Sequence, residues 1–309
     1  MHIGYRKYGN LMQTRPYVPA RVLLGALTAR TTREIFGRTR DWRRYRLVGE
    51  ILNWLFTTSY FYPTTRETGG VNEFPWEENF PHYDFIGSYV STALESGEKA
   101  AHEGSLHEVE YISPRTRDGG EQVYLIGYFF VREGKDTDEI FREIRENLES
   151  ERERANLSAE EVKDLSDLLQ NLKDTGKFPE LTQTIIQNWR DFTEVLQIGG
   201  ERGYGWGTVE RRCISETDNK IFCRYAVDLA GDRPIVEIPK GESIPAHLVV
   251  KNDFPLVSGE IEPLVRKEWR EGPGSKVVFD SVAYKPGARS GMDIELEIIS
   301  LGYTLHKRG

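Results

Sequence analysis

Five glycines lie between Gly199 and Gly207, within the sequence QIGGERGYGWGTVE of residues 197–210. A loop this rich in glycine lets a ligand approach its backbone closely, and its N–H groups can form a concave anion site. Arg202 adds a positive charge, while Tyr204 and Trp206 add flat rings on which an unpaired base can stack. These residue types favour binding of single-stranded nucleic acid through Gly199, Gly200, Arg202, Gly203, Tyr204, Gly205, Trp206 and Gly207. The other interpretation is a structural turn whose aromatic rings pack on the core.

The order of the predicted elements separates this loop from the nucleotide-binding glycine loops. A dinucleotide-binding loop follows a strand and opens a helix. Here a helix is predicted before the glycines and a strand after them. The Walker pattern GxxxxGK[ST] does not occur in the sequence. We therefore expect no nucleotide, and no other cofactor is indicated.

His2 and Asp84 are the two side chains that we single out for acid–base chemistry. Cleavage of RNA without a metal ion needs a proton shuttle at the 2′-hydroxyl. His2 lies close in sequence to the first predicted helix, and Asp84 lies next to His82 in an aromatic stretch. A structural role is open for both. The histidines are scattered and no cluster has metal-ligand spacing, so the sequence predicts no metal site.

Positive charge is concentrated in residues 1–50. Eleven Arg and Lys residues stand there against three acidic ones, so the segment carries +8 although the whole chain carries −8. Ten of the eleven are arginines, whose planar guanidinium group suits phosphate. The segment is either a polyanion-binding surface or an ordinary solvated helix face. On the first interpretation, the expected phosphate contacts are Arg6, Lys7, Arg21, Arg30 and Arg33.

Hydrophobic periodicity outlines the elements that must position these residues. It predicts a helix after Pro19, a second over 47–56, a helical segment over 136–172 with a capping box at Ser158 and Glu161, and a helix over 180–196. Leu106–Ile112 and Gln122–Val131 are predicted strands joined by a turn at 118–120, and the second is so apolar that we place it in the middle of a sheet. Residues 221–309 are strand-like, with one short helix near 260–269.

Composition and the remaining segments set the class of protein. Hydrophobic residues make up 38% of the chain and charged residues 29%, no apolar run could span a bilayer, and the amino terminus lacks a secretory h-region. We therefore expect a cytoplasmic protein without a membrane partner. Cys213 and Cys223 are interpreted as buried thiols, with a cross-strand disulfide as the other possibility. The aromatic segment 60–90 is predicted to be a docking arm for a neighbouring chain.

Three segments resemble a known family. GGERGYGWG at 199–207 is similar to the glycine-rich loop of the RAMP superfamily, the repeat-associated proteins of CRISPR systems. The opening HIGYRKYG…YVPARVLLGALTART resembles that family's first strand and its Tyr-Ile-Pro-Gly-Ser-Ser-x-Lys-Gly-Ala-Leu-Arg segment, and LHEVEYISPRT resembles its middle strand. The opening segment is matched at Tyr17, Val18, Pro19, Gly25, Ala26 and Leu27 and differs at Ala20, Arg21, Val22, Leu24 and Thr28.

The resemblance covers about residues 1–212 and implies an α+β fold. Residues 1–212 would form a RAMP-type ferredoxin-like (RRM-type) domain of order βαββαβ, with an insertion near 60–105 and the helical segment 136–172. Residues 213–309 would form a β-rich region, interpreted as a candidate second, degenerate ferredoxin-like unit. The family's first strand starts several residues before His-Ile-Gly, so here it is either short or partly absent from the sequence.

The function that the resemblance implies is binding of guide crRNA, or other single-stranded RNA. We expect a noncatalytic structural subunit of a type III CRISPR effector ribonucleoprotein in antiviral defence, with the other effector subunits as partners. One alternative is a metal-independent CRISPR endoribonuclease of the same superfamily. The other is an unrelated α+β protein whose glycine loop only connects elements.

Overall fold

The computed structural model describes residues 1–92, 106–132, 136–153, 157–216, 219–250, 257–267, 277–300 and 302–305. These residues form a mixed α+β fold, as the sequence predicts. The helices are α1 (Ala20–Phe36), α2 (Trp42–Leu55), α3 (His82–Phe85), α4 (Thr137–Glu153), α5 (Ala159–Asp174) and α6 (Lys177–Phe192). The strands are β1 (Gly4–Tyr8), β2 (Leu11–Thr14), β3 (Phe56–Thr58), β4 (Tyr62–Thr64), β5 (Ile86–Ser91), β6 (His107–Ile112), β7 (Tyr124–Ile126), β8 (Phe129–Val131), β9 (Val195–Gln197), β10 (Thr208–Glu210), β11 (Lys220–Ile221), β12 (Tyr225–Asp228), β13 (Ile235–Ile238), β14 (Leu248–Val249), β15 (Val257–Ser258), β16 (Ile261–Lys267), β17 (Val277–Tyr284), β18 (Arg289–Ser290), β19 (Ile294–Ile299) and β20 (Gly302–Leu305).

The amino-terminal sheet has the strand order β1-β2-β6-β5, and the first three residues extend it at one end. The Met1 amino group donates to the Ile112 carbonyl oxygen at 2.7 Å, and the Ile112 N–H donates to the Met1 carbonyl oxygen at 2.8 Å. On their other side, the Gly200 N–H donates to the His2 carbonyl oxygen at 2.8 Å. Residues 1–3 therefore lie between the end of β6 and the chain that leaves β9.

The two faces of this sheet have different environments. Ile3, Ile112 and Ile198 belong to a buried core that also contains Leu23 of α1 and Ile185 of α6. Because successive side chains of a strand point to opposite faces, the neighbours of Ile3 and Ile112 face away from the helices. One face is therefore closed by the helical layer, and the other carries His2 and Tyr111.

The helical layer follows the sequence pattern closely. Ser158 and Glu161 form the predicted capping box, with the Ser158 N–H donating to Glu161 at 2.7 Å and the Glu161 N–H to the Ser158 hydroxyl at 3.2 Å. The predicted stripe of α6 is buried at Leu181, Ile185, Trp189 and Phe192. The helix ends at Phe192, so the predicted end at residue 196 is wrong. Leu196 lies in β9 instead.

Residues 220–305 build an eight-stranded sheet of order β11-β12-β13-β19-β20-β14-β17-β16. The helix predicted near 260–269 is wrong over the described residues, because β16 occupies Ile261–Lys267. Its pattern has a period of two, since Glu262 and Leu264 are buried whereas Ile261 and Val265 are exposed. Every described helix precedes this region, so the helices that a second ferredoxin-like unit would need are not among the residues described here.

The strand predicted over Gln122–Val131 is divided into β7 and β8. Each pairs with one partner, β7 with β4 and β8 with β3, so the predicted position in the middle of a sheet is wrong. The break comes at Gly127, where a Cβ atom would lie 2.3 Å from the Phe61 ring. The turn at 118–120 does form, with the Thr116 N–H donating to Glu121 at 2.9 Å, but it does not pair β6 with β7.

The aromatic segment 60–90 packs against its own chain. Tyr62 and Phe74 are buried with their ring centroids 4.9 Å apart, and Phe74 stacks on Trp76 at 4.7 Å. Phe222, from the carboxyl-terminal region, lies 5.4 Å from Tyr62. The predicted docking arm is therefore wrong, because the rings that suggested it belong to a core shared with the eight-stranded sheet.

A buried polar network joins the amino-terminal residues to the eight-stranded sheet. Glu262 accepts from Arg15 Nη1 at 2.7 Å and from His247 Nε2 at 2.5 Å, and the Tyr60 hydroxyl lies 2.6 Å from His247 Nδ1. Since a carboxylate can only accept, a neutral His247 has its proton on Nε2 and accepts from Tyr60 at Nδ1. Burial lowers the pKa of His247 to about 4. Burial raises the pKa of Glu262, but the His247 hydrogen bond and the Arg15 charge outweigh it and bring that pKa to about 2.

Candidate nucleic-acid interface

The glycine-rich segment is the loop of a β-hairpin. Gln197 of β9 pairs with Thr208 of β10, and the Ile198 N–H extends the ladder by donating to the Gly207 carbonyl oxygen at 2.8 Å. The prediction of a strand after the glycines is confirmed, while β9 separates them from the preceding helix. A single 3₁₀ turn over Arg202–Tyr204 forms the tip, where Tyr204 is 80% exposed.

The glycines of this loop fall into two groups. Gly199 has φ +85°, and a Cβ atom there would lie 2.2 Å from the His2 carbonyl oxygen. Gly207 has φ +81°, and its Cβ atom would lie 2.0 Å from the Ile198 carbonyl oxygen. By contrast, a Cβ atom on Gly203 or Gly205 would meet nothing within 4 Å. The base of the loop needs glycine for close backbone packing, and the tip leaves space for a ligand.

Trp206 is held on the face of the sheet that the helices do not cover. Its ring centroid lies 5.1 Å from that of Tyr111 and 5.8 Å from that of Tyr89, and both contacts are edge-on. Tyr111 is in β6 and Tyr89 is in β5. The sequence predicts neither tyrosine as part of the site, because Tyr89 lies in the segment interpreted as an insertion and the turn that carries Trp206 over the sheet has no sequence signature.

His2 has a structural environment. It is 8% exposed, and its Nδ1 atom lies 2.8 Å from the Glu110 carbonyl oxygen. Its own carbonyl oxygen accepts the hydrogen bond from the Gly200 N–H. Asp84 lies in the first turn of α3 and accepts from the Asp118 N–H at 3.2 Å. The His2 ring is therefore held by a main-chain carbonyl oxygen and is largely closed to solvent.

The predicted phosphate-binding cations occupy different environments. Arg6 and Lys7 are exposed on β1, and Arg33 is exposed near the end of α1. Arg30 pairs with Glu34 at 2.9 Å on the surface of α1. Arg21 lies 3.5 Å from Asp280 and is mostly buried, and burial lowers its pKa. Arg21 therefore faces the eight-stranded sheet, and α1 as a whole packs on the face opposite to Trp206.

A cleft of about 1810 Å³ opens beside the loop. One part of it is lined by the aromatic side chains of Tyr89, Tyr111 and Trp206. Cationic side chains also line it: Arg190 from the last turn of α6, and Arg211 and Arg212 from the residues just after β10. Arg211 is fixed by hydrogen bonds to the Arg190 carbonyl oxygen and to the Thr193 hydroxyl. The cleft thus combines aromatic and cationic side chains next to the open tip of the loop, together with acidic ones at Glu67, Glu210, Glu216 and Asp232.

Within the described ranges, no group of three His, Cys, Asp or Glu side chains is placed to hold a metal ion. None of the helices described above is both long and apolar enough to cross a bilayer. Cys213 and Cys223 are free and exposed, so the prediction that both are buried is wrong.

Comparison with known proteins adds no assignment. A scan against protein-family models gives no match for this chain. A search of curated proteins gives none either.

Proposed function

We propose that the chain is an RNA-binding protein of the RAMP superfamily that holds guide crRNA as a noncatalytic subunit of a CRISPR effector ribonucleoprotein. One observation carries the proposal. Two of the three segments that resemble the family, at the amino terminus and at 199–207, are adjacent in space through the hydrogen bond from the Gly200 N–H to the His2 carbonyl oxygen. A pair of motifs separated by almost 200 residues in sequence therefore shares one sheet edge.

The strand order supports a ferredoxin-like core within this proposal. Across the sheet the order is the chain just after β9, at Gly200, then residues 1–3, β6 and β5, with α1 and α2 before β5 and α4 to α6 between β6 and β9. Numbered along the chain, that is the order 4-1-3-2 of a βαββαβ unit. The hairpin of β1 and β2 is then an addition to its first strand.

The chemistry proposed for the loop is recognition of the RNA backbone. The open space at Gly203 and Gly205 lets a phosphate approach the tip of the loop closely, and Arg202 can make a charge-assisted hydrogen bond to it. Arg6 and Lys7 provide further exposed positive charge on β1. We favour binding over cleavage because His2, the acid–base candidate closest to the loop, is buried and holds the Glu110 carbonyl oxygen.

Labelled single-stranded RNA, mixed with the purified chain with and without EDTA, tests the proposal. We expect saturable binding with intact RNA under both conditions. Cleavage that persists in EDTA would replace the proposal by the endoribonuclease alternative. Absence of binding at low salt would contradict both, and would leave the loop as a structural connector.

A further inference from the structure

Three aromatic side chains form one connected surface, which we call the aromatic platform: Tyr89, Tyr111 and Trp206. Trp206 contacts both tyrosines edge-on, at centroid distances of 5.1 Å to Tyr111 and 5.8 Å to Tyr89. Edge-on contacts of this kind are favourable and fix the rings relative to one another. Tyr89 nevertheless remains 55% exposed. The platform therefore holds one large ring in a defined orientation with much of its surface open to solvent.

Gly87 leaves the space that the Tyr111 ring of the platform occupies. It pairs with Tyr111 across β5 and β6, and a Cβ atom at Gly87 would lie 2.7 Å from the Tyr111 ring. The tyrosine ring thus lies over the glycine, where any other residue would displace it. Tyr111 in turn supports Trp206, which supports Tyr89. A glycine in the middle of a strand normally weakens that strand. Glycine at position 87 is explained by the Tyr111 ring, which needs the space that a side chain would fill.

We infer that the aromatic platform is a nucleobase-binding site, at which an unpaired base of the RNA stacks on Tyr89. The inference rests on the proposed function and specifies its substrate as RNA with accessible bases rather than a duplex. Trp206 lies within the glycine loop itself, so a strand whose phosphate contacts Arg202 has its bases within reach of the platform. The adjoining cleft is lined by charged side chains of both signs, among them Arg190, Arg212, Glu210 and Glu216, so it suits a polar, charged ligand better than an apolar peptide.

The experiment compares oligouridine with the same oligonucleotide lacking its bases. For the wild-type protein, loss of the bases should weaken binding by about 5- to 150-fold, the range that one base–aromatic stack produces. Tyr89→Ala should weaken binding of oligouridine by a similar factor and leave abasic RNA unaffected. Tyr89→Phe should bind like the wild type, whereas Tyr89→Leu, which keeps apolar bulk without a flat ring, should behave like alanine.

Gly87→Ala tests the support of the platform without removing a ring. It should reduce the preference for oligouridine over abasic RNA, while Ser88→Ala, at the exposed neighbouring position, should not. Equal affinity of the wild type for both oligonucleotides would overturn the inference and leave backbone binding in place. Failure to bind either oligonucleotide would instead contradict the proposed function. Unchanged base preference in Tyr89→Ala would also overturn the inference.

Discussion

Replacing Glu262 with alanine should lower the free energy of unfolding by about 3–5 kcal/mol, the cost of leaving one member of a buried ion pair without its partner. Glu262 is 5% exposed and accepts from both Arg15 and His247. Alanine removes the acceptor for two buried donors, one of them a guanidinium group that cannot release its proton. Urea unfolding of the two proteins, analysed by midpoint and slope, measures the loss.

Glu260, two residues away on the chain, provides the matched control. Its carboxylate is 78% exposed and pairs with Lys285, so Glu260→Ala should change the urea midpoint very little. Equal losses of stability in the two alanine variants would contradict the assigned role of the buried polar network.

Acidification should lower the free energy of unfolding, as the Glu262 variant does. Because the folded-state pKa values of His247 and Glu262 are lowered to about 4 and about 2, their contributions to stability are present at neutral pH. They are lost as the pH falls below about 6.5 for the histidine and about 4.5 for the carboxylate.

Alanine at Gly207 should destabilise the hairpin and abolish RNA binding, whereas valine at Gly203 should abolish binding alone. At Gly207 the added Cβ atom would lie 2.0 Å from the Ile198 carbonyl oxygen, in a backbone conformation with φ +81°. The strained conformation and the steric clash together should cost about 2–5 kcal/mol. At Gly203 an added Cβ atom meets no protein atom within 4 Å, so we expect valine there to block only the approach of a ligand.

Thermal unfolding and RNA affinity, measured on the same preparations, separate the two effects. Gly203→Ala serves as the control for valine, since its small side chain leaves most of the space open. If Gly203→Val binds RNA like the wild type, the tip does not approach the RNA backbone. If Gly207→Ala melts like the wild type, the base of the loop is not packed as described.

Local signals in the sequence predicted the helical layer well. The capping box at Ser158 and the stripe of α6 depend on residues three or four positions apart, so the sequence contains all the interactions that define them. The sequence predicts a helix at β16 because short apolar segments fit either period until their partner strand is known. Its partner β17 begins ten residues after β16 ends.

The candidate site is only partly predictable from the sequence, because some of its contacts join residues that are far apart along the chain. The glycine loop and its exposed Arg202 and Tyr204 follow from composition. The contact of Trp206 with Tyr89 and Tyr111 depends on the register of β5 with β6, and on the hairpin turning back over that sheet. The aromatic segment 60–90 had no visible partner in sequence, since Phe222 lies about 150 residues further on. Large rings of this kind fit a partner interface or a core equally until that contact is known.

The affinity for single-stranded RNA as a function of salt concentration tests the central claim most directly. Phosphate contacts release counterions, so log affinity should fall linearly with log salt, with a slope of about −0.7 per phosphate contact. Arg202→Ala should make that slope shallower by about one contact, for all RNA sequences alike, whereas Arg142→Ala, an exposed arginine on α4, should leave it unchanged. A slope indistinguishable from zero, or equal slopes in the wild type and Arg202→Ala, would contradict recognition of the RNA backbone by the glycine loop.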